Sequence, residues 1–213
     1  MEAFHWRYHP LAARMLEIVN GGQLGRVRHI ETWMCFPLFK RDDIRWHLDL
    51  AGGALMDAGC YAVHMLRTLA GAEPEVVNAE AKLRSPGVDR VMRADVTFDD
   101  GRTGRVNTSM WSSTVLKLAA RVEGDAGVLH VFNPIAPQYF HRVTVTRGGR
   151  KQRERVQGGS TYSYQLAAFA AAVLRGEPTL TPPADSIANM RVIDDIYRAA
   201  GMQPRTGATE TAA

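Results

Sequence analysis

The chain has 213 residues, 46% hydrophobic and 23% charged, with 26 Lys and Arg against 22 Asp and Glu for a net charge of +4. That balance excludes a disordered or highly charged chain and gives enough length for a sizeable core. The longest apolar run, Leu166 to Leu174, is too short to span a bilayer, and Cys35 and Cys60 form neither a CxxC pair nor a disulfide framework, so no membrane and a reducing, cytoplasmic setting are expected.

In chain order, residues 1–4 carry no start signal. Pro10 opens a helical pattern with Leu11, Met15, Leu16 and Val19 at helical spacing, and Asn20-Gly21-Gly22 stops it. Residues 26–36 alternate as a strand. Residues 37–50 form a charged connection with Arg45-Trp46-His47 at its middle, a positive and aromatic cluster that suits a polar or anionic ligand just before a helix.

Residues 51–71 follow, AGGALMDAGCYAVHMLRTLAG. At about 100° per residue, Leu55, Met56, Gly59, Cys60, Val63, Leu66 and Ala70 share one side, and Asp57, Tyr61, His64 and Thr68 share the other. A carboxylate, a phenol and an imidazole thus line one stripe of a helix with an apolar back. A solvated face is the plain alternative, but a tyrosine is an odd choice there, and Gly52-Gly53 leaves the helix N-terminus accessible. Gly59 allows a close approach, and Gly71 reads as the helix stop.

Beyond Gly71 the period changes to two. Residues 75–83, 90–98, 103–111, 117–123, 128–132, 141–146 and 151–156 read as strands, with Asp99-Asp100-Gly101 a hairpin turn. Arg147, Arg150, Lys151, Arg153 and Arg155 crowd one segment without aromatic residues, so it reads as a solvated hairpin and not a nucleic-acid reader. Tyr162, Leu166, Phe169 and Val173 then form a helical stripe closed by Gly176, and Pro182-Pro183 opens a last helix with Ile187, Met190, Ile193 and Tyr197 apolar. The expected class is α+β: one large, mostly antiparallel, open-faced sheet flanked by helices. A single domain over residues 1–203 and a frayed tail over 204–213 complete the expected organisation.

No G-x-G-x-x-G, GxxxxGK[ST], HExxH or GxSxG occurs, and the seven histidines do not gather at metal-ligand spacing. The residues do carry a resemblance. Glu2-Ala3-Phe4, Arg7-Tyr8-His9-Pro10, Arg45-Trp46, Gly52-Gly53-Ala54-Leu55-Met56-Asp57-Ala58-Gly59-Cys60-Tyr61, Tyr162-x-x-Gln165-Leu166-x-x-Phe169 and the Asn189-to-Gly201 helix resemble the glucose-fructose oxidoreductase / inositol dehydrogenase (Gfo/Idh/MocA) family over nearly the whole chain.

That resemblance implies the C-terminal, dihydrodipicolinate-reductase-like half of a two-domain NAD- or NADP-dependent oxidoreductase acting by hydride transfer on a CH-OH group of a sugar, polyol or similar small polar substrate. It implies Tyr61 as the acid/base, Asp57 as the group orienting substrate or catalyst, and Arg45, His64 and Tyr162 as substrate-binding residues. The family's Rossmann half, with its glycine fingerprint and its Glu-Lys-Pro lysine, has no counterpart here, so no cofactor-binding residue falls in this chain. The expectation is a truncated or split gene needing a Rossmann domain or partner chain. The resemblance also implies a homo-oligomer through the sheet, and a junction at the last helix leaving Ile187, Met190, Ile193 and Tyr197 partly bare. The competing reading is a non-enzymatic ligand-binding or scaffold module built on the same sheet domain. A nucleic-acid binder rests only on the basic stretch around Arg150.

Overall fold

The computed structural model describes residues 1–205. After a 3-10 turn at His5–Tyr8 come α1 (Pro10–Asn20), β1 (Val27–Cys35), a π-helical turn at Leu55–Gly59 and α2 (Cys60–Ala70). The strands β2 (Glu75–Ser85), β3 (Val88–Thr97), β4 (Thr103–Ser109), β5 (Lys117–Gly124), β6 (Gly127–Phe132), β7 (Arg142–Arg147) and β8 (Arg150–Glu154) follow, then α3 (Thr161–Arg175) and α4 (Pro183–Ala199).

All eight strands join one sheet in the order β2-β3-β4-β1-β5-β6-β7-β8. Every neighbouring pair is antiparallel except β1 with β4. Short turns such as the one at Gly101, at φ 81°, return the chain beside itself. The long crossover through α2 lets β1 and β4 run parallel. The α+β open sheet expected from the alternation is the observed architecture.

One face of the sheet carries α2 on β1 and β4, and α4 on β2. Ile30, Val106, Val122, Val131 and Val143 line that face with no exposure, against Val63, Leu66 and Ile193. Each such side chain contributes about 1.5–3 kcal/mol relative to exposure. Gly59 and Gly104 let the layers close: a Cβ on Gly59 would press into Thr108, and one on Gly104 into Leu66. The opposite face bears a polar row in which Arg105, Glu31, Arg121, His130, Thr144 and Arg153 are successive cross-strand partners. The basic residues 150–154 form the exposed edge strand, and charged side chains on an edge discourage further strand pairing.

Residues 1–4 form no regular element, though Phe4 enters the core, and the His5–Tyr8 turn, with Trp6 buried, leads into α1. The bare stripe expected on the last helix is corrected. In α4, Ile193 and Tyr197 are fully covered by this chain, while Ile187 stays 55% exposed. The bare apolar stripe lies instead on α3, where Tyr162, Leu166, Phe169 and Val173 are all exposed and the helix packs chiefly on the His5–Tyr8 turn. Of the tail expected over 204–213, Arg205 docks against Gly52 and Asp89, and residues 206–213 lie outside the described residues.

Candidate active site

The glycine-opened stretch is not one regular helix. Gly52 N–H donates to His47 O and Gly53 N–H to Arg45 O, at 2.8 and 2.9 Å, so the chain folds back on the Arg45 loop. A Cβ on Gly52 would strike the backbone of Arg45 and His47, and one on Gly53, at φ 138°, would strike Asp89. That is why two glycines stand here. The π turn at Leu55–Gly59 then precedes α2. Such turns widen a helix by one residue and occur often at functional sites.

Two recesses adjoin across Met56. One, of about 180 Å³, is lined by Glu2, Ala3, Phe4, Met56, Cys60, Tyr61, Ser186, Asn189 and Met190. The other, of about 270 Å³, is lined by Ile44, Arg45, Leu50, Ala51, Gly52, Met56 and Asp57. Arg45 Nε lies 3.4 Å from Asp57 Oδ2. Burial raises the Asp57 carboxyl above its ordinary value, opposed by Arg45. Tyr61 is half-buried, with its ring edge-on to Phe4 at 5.3 Å and tilted against His5 at 5.6 Å. Burial pushes its phenol up to about 12, with the negative charge of Asp57 a lesser contributor. The proton therefore stays on the hydroxyl near neutrality, leaving Tyr61 a hydrogen-bond donor and acid, and a poor base unless a cation approaches.

Tyr162 is exposed, lines neither recess and stacks on His5 at 4.3 Å, while His5 Nδ1 pairs with Thr161 Oγ1 at 2.8 Å. The structure thus brings Tyr61, Asp57 and Arg45 to two adjoining recesses, with Tyr162 reaching them only through His5. His64 is elsewhere: it is 2% exposed and lines neither recess. Trp6 Nε1–H donates to His64 Nδ1 at 3.2 Å, and His64 Nε2 lies 3.1 Å from Asp185 Oδ2. Phe4 stacks on its ring at 4.1 Å. This is an interior network and not a substrate surface, since the ring has no nitrogen left to offer. Burial lowers the His64 pKa despite the Asp185 contact, and the bond from His64 holds the Asp185 carboxyl low. Arg67 extends the network, gripping Glu73 through two bonds of 2.7 Å and Asp185 at 2.9 Å, which ties α2 to α4.

Sequence reasoning missed His5, Phe4, Met56, Cys60, Ser186 and Asn189. A wheel drawn at a constant helical pitch sends Met56 and Cys60 to the back; the π turn rotates them into the cleft beside Tyr61. Asn189 Nδ2 donates to Cys60 O at 3.1 Å, anchoring the start of α2 to α4.

The cleft beside Tyr61 is smaller than the roughly 300–1,000 Å³ taken by drug-sized ligands. Its walls of Phe4, Met56 and Met190 suit one flat ring, and no phosphate-cradling glycine loop is encoded. The residues present do not fit a whole dinucleotide. Among the described residues no three His, Cys, Asp or Glu side chains gather to hold a metal ion, and no helix is long and apolar enough to cross a membrane.

Residues 12–130 match the family model described as the GFO/IDH/MocA C-terminal domain. The chain is 36% identical over 204 residues to D-xylose 1-dehydrogenase (NADP(+)) 2 of Haloferax volcanii, covering 94% of this chain and 62% of that protein. The fold superposes on an aldose-aldose oxidoreductase from Caulobacter crescentus, crystallised with glycerol, at a TM-score of 0.85 and 27% identity, covering 94% of this chain and 61% of that one. It also superposes on a 3-ketoreductase from Actinomadura kijaniata, crystallised with NADP and TDP-benzene, at 0.86 and 24% identity, covering 93% and 62%; that likeness bears on fold alone. The chain spans about three-fifths of the length of these relatives.

Proposed function

This chain belongs to the GFO/IDH/MocA family, and from that membership we propose that it is the substrate-binding part of an NAD(P)-dependent oxidoreductase acting on a CH-OH group of a sugar or polyol. The observation that carries the reading is the pairing of Tyr61, half-buried and proton-bearing, with the Arg45–Asp57 pair across Met56. A substrate bridging the two recesses offers one oxygen to the Tyr61 hydroxyl and a neighbouring hydroxyl to Asp57 and Arg45. Tyr61 then gives or takes the proton at the reacting oxygen, and Asp57 and Arg45 fix the orientation. The coenzyme supplies hydride transfer, and it is held by a nicotinamide-binding unit outside residues 1–205, whether a further segment or a partner chain.

The bare stripe on α3 supports such a partner unit. Tyr162, Leu166, Phe169 and Val173 range from 49% to 66% exposed on one face, a continuous apolar strip that soluble monomers seldom leave open. We assign self-association to the open polar face of the sheet, where charges of both signs alternate along the Arg105–Glu31–Arg121 row, and the setting to the cytoplasm.

The test is NADP⁺ or NAD⁺ reduction by D-xylose and related aldoses in a complex of this chain with a family nicotinamide-binding domain. Turnover that falls about 10²–10⁴-fold in Tyr61→Phe, with sugar affinity little changed, is the expected result. Sugar binding without any turnover would favour the binding-module reading instead.

A further inference from the structure

Asp89 is a fully buried carboxylate outside the recesses, and nothing in the proposed chemistry uses it. Its Oδ2 accepts from Leu55 N–H at 2.8 Å, the first residue of the π turn. Its Oδ1 accepts from Tyr197 Oη and Arg205 Nη2, each at 3.2 Å. Arg205 also donates from Nε to Gly52 O at 3.1 Å, and its guanidinium lies 4.2 Å over the Tyr197 ring. One carboxylate from β3 thus joins α4, the chain beyond it and the glycine turn.

What hangs from that turn is the charged half of the site. Gly53 N–H is bonded to Arg45 O, and Gly53 O accepts from Asp57 N–H at 3.0 Å. Gly53 therefore links the Arg45 backbone to that of Asp57, and Asp89 lies so near it that no Cβ fits between. We propose that Asp89, held by Arg205, is a positioning residue that sets the Arg45–Asp57 pair. The carboxylate takes the role of an N-cap supplied from a distant strand: it satisfies an orphan helix N–H and fixes the angle at which the π turn leaves the loop. Arg205 makes that burial tolerable by pairing the charge. The proposal rests on reading the Arg45–Asp57 pair as part of a site.

The experiment is native-state amide exchange by NMR on the full chain, comparing wild type with Asp89→Asn. The expected result is a loss of protection of about tenfold or more at the Gly53, Leu55 and Asp57 amides, the scale of one lost buried hydrogen bond. The β7 amides should hold their protection relative to global unfolding, and the Arg45 Nε and Asp57 Cγ resonances should shift together. A core variant, Val143→Ala, lowers stability without touching the turn and should leave both resonances in place. Unchanged protection at the turn, protection lost only in parallel with β7, or unmoved Arg45 and Asp57 resonances would overturn the proposal. Should Asp89→Asn fail to fold, Arg205→Gln gives the same reading through the other end of the latch. These signals need no turnover. Sugar binding without turnover would therefore defeat the redox reading and leave the latch, and unchanged exchange would defeat the latch and leave the redox reading.

Discussion

His64 shows how one residue's environment decides its role. Its Nδ1 faces the Trp6 N–H and its Nε2 faces Asp185, so a second ring proton would point donor against donor at Trp6. The folded chain therefore keeps it neutral, with a pKa below the usual ~6.5, whereas the unfolded chain takes up that proton. Stability from this group is full above pH ~6.5 and is lost as pH falls towards its folded-state value. Melting temperature measured from neutral pH downward should drop through this window, and the drop should shrink in His64→Gln. An unchanged slope would show that other groups carry it. From sequence the imidazole shares a wheel sector with Asp57 and Tyr61, but the wheel says nothing of Trp6, which arrives from 58 residues away.

Glycines permit a sharper comparison. Gly71 sits at φ 62° with open space before it, so Gly71→Ala should cost about 1 kcal/mol, the ordinary left-handed penalty. Gly53→Ala adds a collision with Asp89 to its unfavourable φ, so it should cost more than Gly71→Ala in chemical denaturation. Equal costs would mean the turn relaxes away from Asp89.

Among the elements, those governed by a simple period were legible. Alternation located β1 through β8 to within a few residues, and Ser160 caps α3 by accepting from Tyr162 N–H. The His5–Tyr8 and Leu55–Gly59 turns were not legible, since neither follows a helical or strand period. The α3 stripe was legible as apolar, yet periodicity identifies a face and not what covers it. Leu166 and Phe169, at 66% and 49% exposure, give little to this chain's own stability. Leu166→Glu with Phe169→Glu should leave the melting temperature nearly unchanged, within about 0.5 kcal/mol per site, and should abolish association with a nicotinamide-binding domain in sedimentation. A large loss of stability would place that stripe inside this fold's own core.

For the molecule as a whole, the sheet is a floor with helices on one side, and the cleft lies where the π turn, the Arg45 loop, residues 2–4 and α4 meet. The family resemblance located that region from the Gly52-to-Tyr61 run. Its partition into a Tyr61 recess and an Arg45–Asp57 recess depends on α4 and on residues 2–4, which are remote in sequence. The proposed function requires Tyr61 to handle the proton of a redox site completed by a coenzyme domain. The most direct measurement is kcat for aldose oxidation by Tyr61→Phe against wild type, each bound to that domain. A fall of about 10²-fold or more with near-normal KM is predicted; an unchanged kcat would contradict it.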